Sequence, residues 1–275
     1  STGVFLRQFV AEHAAQGDQY GIRVTSDNTT SSDGHVFETT TGIHVDQTLN
    51  SGAVTIIENV SIVQPLSYGV VQASGRLQMT SVTVSHVNGG RIDGAGFRIT
   101  GAQMCEMHNC SAIQGGPTDS SFSVGVDILN SSSNVKIVGG TFNNFQYGIQ
   151  VNKAGAPITL IGVHCLQNLQ RGLDVIRAAY LNVNGGQFSY NGGSGASDAG
   201  IYLTVNNAYE RHSITGVIAV QGGGGPQDYG IYAECNNANS KVLITGNVAA
   251  FNATANIQTA GSSVGNITNT NNMVG

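Results

Sequence analysis

Asp127 and Asp174 are two of only 16 acidic residues in a chain of 275. They hold the same place in two copies of a short motif, Gly125-Val126-Asp127-Ile128 and Gly172-Leu173-Asp174-Val175. A third copy, Gly148-Ile149-Gln150-Val151, lies between them. If such copies stack as neighbouring strands, the carboxylates lie two strand spacings apart, about 9–10 Å between Cα atoms. Inverting glycoside hydrolysis uses two carboxyl groups about 6.5–9.5 Å apart. One protonates the leaving oxygen and the other activates water. The acid needs a raised pKa, which burial against a sugar or a neighbour can supply.

The elements that would position this pair are legible in the motif itself. A small residue followed by apolar–any–apolar recurs ten times, from Tyr20-Gly21-Ile22-Arg23-Val24 to a degenerate Ala255-Asn256-Ile257, at intervals of 21–30 residues. Each copy alternates with period two and is bounded by turn residues, so it reads as a strand. A repeat of this length that never closes on itself is the mark of a stacked solenoid. The glycine at each strand entry suits either a positive φ or a close backbone approach. A second series supports this, with apolar residues five apart around a Gly, Asn or Ser bend: Leu77/Val82, Ile137/Phe142, Ile158/Val163, Val183/Phe188 and Leu243/Val248. A corner between the two members lets both point inward. The fold class is therefore all-β, a parallel solenoid of about ten coils, each with at least two strands.

Stacking turns the "x" residues into a column on the outer surface: Arg23, His44, Val71, Arg98, Asp127, Gln150, Asp174, Tyr202 and Tyr232. The next outward position adds Asp46, Thr100, Asn152, Thr204 and Glu234. From Arg98 to Glu234 the column is a continuous polar run. Tyr202 and Tyr232 are placed to stack on pyranose rings, while Arg98, Gln150 and Asn152 could bind hydroxyls or a substrate carboxylate. Arg177 and Glu234 complete the expected binding set. Outward positions on any such solenoid are polar, so the same column also fits a surface with no chemistry at all.

The Gly-Ile-x-Val cadence, with Val135-Lys136-Ile137-Val138-Gly139-Gly140-Thr141-Phe142, resembles the pectate-lyase-like right-handed parallel β-helices. Within that class it is most similar to phage tailspike and polysaccharide-degrading proteins, over residues 18–260 or so. The resemblance implies a homotrimer on a virion tail that recognises and cleaves a bacterial surface polysaccharide, capsule or O-antigen; a secreted or cell-surface location is the alternative. It names no catalyst, because the matching motif is a packing motif. Two other readings stay open. One is a non-catalytic carbohydrate-binding or structural module. The other is a polysaccharide lyase, in which Asp127 and Asp174 would hold calcium and Arg98, Arg171 or Arg177 would act as base. The latter lacks a dense Asp cluster. An alginate-type epimerase ranks lower, since neither an Asp-Pro-His motif nor calcium-binding nonapeptides are present.

Composition narrows the rest. Charged residues are only 10% of the chain and glycines number 38. The net charge is −5 and the 11 basic residues are scattered, which disfavours nucleic acid. No apolar run reaches 18 residues, so membrane insertion is not expected. Ser1-Thr2-Gly3 does not open a signal peptide. Residues 1–17 read as a cap or the remnant of a preceding domain, and 261–275 as a tail or the start of a further segment. Cys105, Cys110, Cys165 and Cys235 fall on inward positions and read as core thiols rather than a disulfide or metal site. No cofactor is expected. His108 and His164 read as solvated outward residues. The runs Gly222–Pro226 and Gly192–Gly195 read as long corners that could wall a groove, not as phosphate loops.

Overall fold

The computed structural model describes residues 4–12, 20–25, 28–47, 54–86, 94–115, 123–129, 134–152, 154–193, 197–221 and 227–275. The corner Gly222–Pro226, Ser194, Gly195 and His13 lie outside these. The chain winds into a parallel β-helix, with three sheets of eleven, eleven and ten strands among the described residues. Every paired strand is parallel to its neighbours one coil before and one coil after. The repeated motif forms the third sheet, which includes Val124–Leu129, Tyr147–Asn152, Arg171–Val175, Ala199–Val205 and Tyr229–Cys235. The second series divides at its corner into the first and second sheets, as in Arg76–Thr80 and Thr83–His86. Strands Val4–Arg7 and Val10–Glu12 already pair into the first two sheets, and Ile267–Thr270 and Met273–Val274 still do. The stack therefore runs past both limits, 18 and 260, read from the repeat.

The corner between the first and second sheets has one recurring device. A residue takes a left-handed backbone, Asn59, Ser81, Asn109, Gly139, Gly162, Gly185, Gly216 and Gly246 in successive coils, joined at Gly140 and Gly186 by a second one. It lets residues three apart both point inward, as Met79 and Val82 or Leu160 and Val163 do, all fully buried. Leu77 and Val82 are also both buried, as the five-residue spacing predicts. In the coil at Leu243 the reading is off by one. Val242 and Ile244 are the buried residues there and Leu243 is exposed, since a one-residue slip reverses every side chain of a strand.

The strand-entry glycines do not have positive φ. They stand in file, and a Cβ on each would strike the next coil's backbone: 2.5 Å from the Gly96 carbonyl oxygen at Gly69, 2.4 Å from that of Gly148 at Gly125, and 2.6 Å from that of Gly172 at Gly148. Close approach is what selects glycine there. Inside, one continuous core runs from Val24 to Ile244 and takes in all four cysteines, which are buried and unpaired. Burial pushes the Cys110 thiol up to about 11 and Cys105 higher still.

Polar groups inside the helix are stacked too. At the corner between the second and third sheets Asn168 donates to Asn191, Gln227 donates to Asn252, and the Asn191 backbone donates to Gln227. All four belong to successive coils. Their amides also cap strand-end carbonyls, as Asn191 does for Cys165. His212 departs from this pattern. It occupies the inward position held by Leu181 one coil earlier and Val242 one coil later. Its ring is buried, with neither nitrogen hydrogen-bonded, and Nε2 lies 3.9 Å from the Glu210 carboxylate.

Candidate functional site

The pairing register reproduces the outward column residue for residue. Arg23, His44, Val71, Arg98, Asp127, Gln150, Asp174, Tyr202, Tyr232 and Gln258 are successive partners in the third sheet. Asp127 and Asp174 are thus two rungs apart across Gln150. Asn152 follows Leu129 in the next outward file, and Glu234 follows Thr204. Val71, expected to be exposed, is only 8% accessible; it lies between the long side chains of His44 and Arg98 on adjacent rungs.

The carboxylates are far more enclosed than an outward position implies. Asp127 is 9% accessible and Asp174 2%. Asp127 lies 3.6 Å from the Arg98 Nε through Oδ2, while its Oδ1 is buried without a hydrogen-bond partner, as is Arg98 Nε. Arg98 donates through Nη1 to the Tyr68 hydroxyl and lies over that ring. Burial raises the Asp127 pKa, and the Arg98 charge offsets part of this. Asp174 is engaged at both oxygens. Arg171 Nη1 pairs with Oδ1 and Gln150 Nε2 donates to Oδ2 at 3.0 Å. The pair is therefore asymmetric, with one acid held loosely through a single oxygen and one acid held at both.

Tyr202 does not offer its faces to a sugar. The Tyr202 and Tyr232 rings stack on each other, centroids 4.6 Å apart and planes within 6°. The Arg171 guanidinium, from the preceding coil, lies 3.7 Å from the centroid of Tyr202. Tyr202 is thus covered on both faces, and the expected pyranose stacking is not available to it. The two phenols, each raised in pKa by burial, present hydroxyls and edges instead. Arg177 is exposed and stands two residues past the strand Arg171–Val175, outside the column. Glu234 accepts from Asn236, two residues on, which also donates to Asn206 one coil earlier, and the next rung of the Glu234 file is Ala260.

Tyr68, Tyr147 and Arg171, in the file immediately before each glycine, also belong to the site. Arg171 bridges Asp174, Tyr202 and the Ser197 carbonyl, and Tyr147 donates to Gln170. The signal for them was in the repeat, where Tyr20, Tyr68, Tyr147, Arg171 and Tyr229 precede the glycine. The period-two reading sends those side chains to the other face, but the strand is distorted at the glycine and they share the surface of the "x" file.

No protein-family model matches this sequence. No curated protein matches it either. Among solved structures the chain is similar to the mannuronan C-5 epimerase AlgE6 A-module of Azotobacter vinelandii, with a TM-score of 0.58 and 14% identity, over 100% of this chain and 89% of that one. At that identity the likeness speaks for the fold.

Proposed function

We propose that the outward face of the third sheet binds a bacterial surface polysaccharide, capsule or O-antigen, in the manner of a phage tailspike. The observation that carries this reading is the unbroken column from Arg98 to Glu234, at whose head the ion-paired Asp127 and Arg98 each keep one buried atom, Oδ1 and Nε, without a hydrogen bond. Buried polar groups in proteins are nearly always paired, and adjacent sugar hydroxyls, which both donate and accept, suit this donor–acceptor pair. That a polysaccharide-modifying enzyme module shares the fold supports the same class of ligand.

The column further supports cleavage. Asp127, raised by burial, gives its proton to the glycosidic oxygen as the C–O bond breaks. Water loses its proton to Asp174 and closes on the anomeric carbon, inverting it. A second reading, binding without cleavage, is favoured by the engagement of both Asp174 oxygens with Arg171 and Gln150. Viscosity and reducing-end assays on purified capsular and O-antigen polysaccharides separate the two. The expected result is release of reducing ends by the wild type and a loss of about a hundredfold or more in Asp127→Asn, with binding retained. Cleavage undiminished in both Asp127→Asn and Asp174→Asn removes the pair from the mechanism. Binding with no reducing ends from the wild type establishes the second reading. The tailspike assignment also carries a homotrimer. A monomeric mass in solution would count against it.

A further inference from the structure

A concave site lies on the outward face of the first sheet. It is a cleft of about 330 Å³ lined by Met104, Glu106, Asn134, Lys136, Pro157 and Thr159, with the backbone at Val135. The cleft adjoins an irregularity in the stack. Strand Ala154–Ile161 takes three steps from Ala154 to Pro157 where its partner takes two, from Ala178 to Tyr180. The extra residue disrupts the ladder beside the cleft, and Pro157 there has no N–H to return to it.

The lining is chemically mixed in a specific way. Glu106, Lys136 and Thr159 are consecutive rungs of one file. Although adjacent, Glu106 and Lys136 form no ion pair. Glu106 lies 3.9 Å from His108 and accepts from Gln78, and Lys136 has no ion-pair partner among the described residues. An acceptor, a cationic donor, the Asn134 amide and the Thr159 hydroxyl therefore converge over the apolar surfaces of Met104 and Pro157. Tyr180, paired with Pro157, is exposed on the next rung. The volume is at the small end of ligand pockets, too small for a peptide and suited to one ring with several hydroxyls.

We propose that this cleft is a second carbohydrate site that takes a single pyranose unit. The ring's C–H face rests on Met104 and Pro157, and its hydroxyls meet Glu106, Lys136, Asn134 and Thr159. The proposal does not depend on the third-sheet reading, because no residue is shared between them.

The four methionines of the chain give a direct test. Met104 lines the cleft, Met79 and Met107 are buried, and Met273 is exposed at the far end. With methyl-¹³C methionine, the protein is titrated with neutral and uronic methyl pyranosides, and separately with sodium acetate. The expected result is a saturable shift of the Met104 resonance alone, lost in Lys136→Gln and in Glu106→Gln. The buried Met79 and Met107 signals report that each variant is folded. No Met104 shift with any pyranoside overturns the proposal. So does a shift that survives in both variants, or one that acetate reproduces in full, which would make the cleft an anion site. Polysaccharide binding by the third sheet is read separately on Asp127→Asn, so failure of one reading leaves the other standing.

Discussion

Asp127 is held at a cost. Its carboxyl is buried, one oxygen lacks a partner, and Arg98 compensates only in part. A carboxyl raised above its ordinary value of 3.8 binds its proton more tightly in the folded chain than in the unfolded one. Stability therefore falls as pH rises through the window between that value and the folded one, and the penalty stays in force above it. Asp127→Asn removes the titration. Its melting temperature is expected to exceed that of the wild type at pH 7, with the difference shrinking as the pH falls toward about 3.8 and gone below it. A pH-independent difference would show that burial of Asp127 is not what the substitution relieves. The placing of Asp127 and Asp174 in one file was legible from the repeat, because the register depends only on counting. Their enclosure was not. It depends on Arg98 and Arg171 folding back over the carboxylates and on Tyr202 lying between Arg171 and Tyr232, directions that spacing alone does not carry.

At the scale of the strand and its corner, glycine serves two separate purposes. Gly148 keeps room for the next coil: a Cβ there would lie 2.6 Å from the Gly172 carbonyl oxygen and 2.8 Å from the Cys165 Cβ. Gly162 has φ +61° and open space around it, so only its backbone angle matters. Two substitutions separate these causes. Gly148→Ala forces neighbouring coils apart and is expected to cost about 3 kcal/mol or more in urea unfolding. Gly162→Asn is expected to change stability by less than about 1 kcal/mol, because asparagine tolerates the left-handed region and already occupies that corner at Asn59 and Asn109. Equal losses in the two variants would contradict the distinction. The recurrence of the entry glycines made the third sheet legible in the sequence. The corner between the other two sheets was harder to read, since Asn, Ser and Gly share it and the inward residues around it are both three and five apart. At Leu243 and Val248 the five-residue spacing was read one residue out of phase with the buried Val242 and Asn247.

The whole molecule is a one-dimensional array in which each coil pairs only with the coils before and after it. In such arrays stability is close to a sum of unit and nearest-neighbour terms. The amide stack at the corner between the second and third sheets makes this testable. Asn191 accepts from the backbone and side-chain amides of Asn168, donates to the Cys165 carbonyl, and takes its own backbone bond to Gln227. Asn191→Ala leaves the buried Asn168 amides and the Cys165 carbonyl unsatisfied, each worth about 1–3 kcal/mol. Those groups lie on the preceding coil, so the lesion spans that coil and the coil of Asn191. Hydrogen exchange is then expected to lose protection in His164–Leu166, Arg171–Val175, Gln187–Ser189 and Ala199–Val205. Protection is expected to persist in Thr41–Val45 and Tyr68–Gln72, several coils away. The continuous core offers the opposing possibility, that coils communicate along its length and the chain opens as one unit. Uniform loss of protection in all three sheets would establish that and overturn the nearest-neighbour account. Local loss would mean that the column from Arg98 to Glu234 can be altered rung by rung without unfolding the scaffold that carries it.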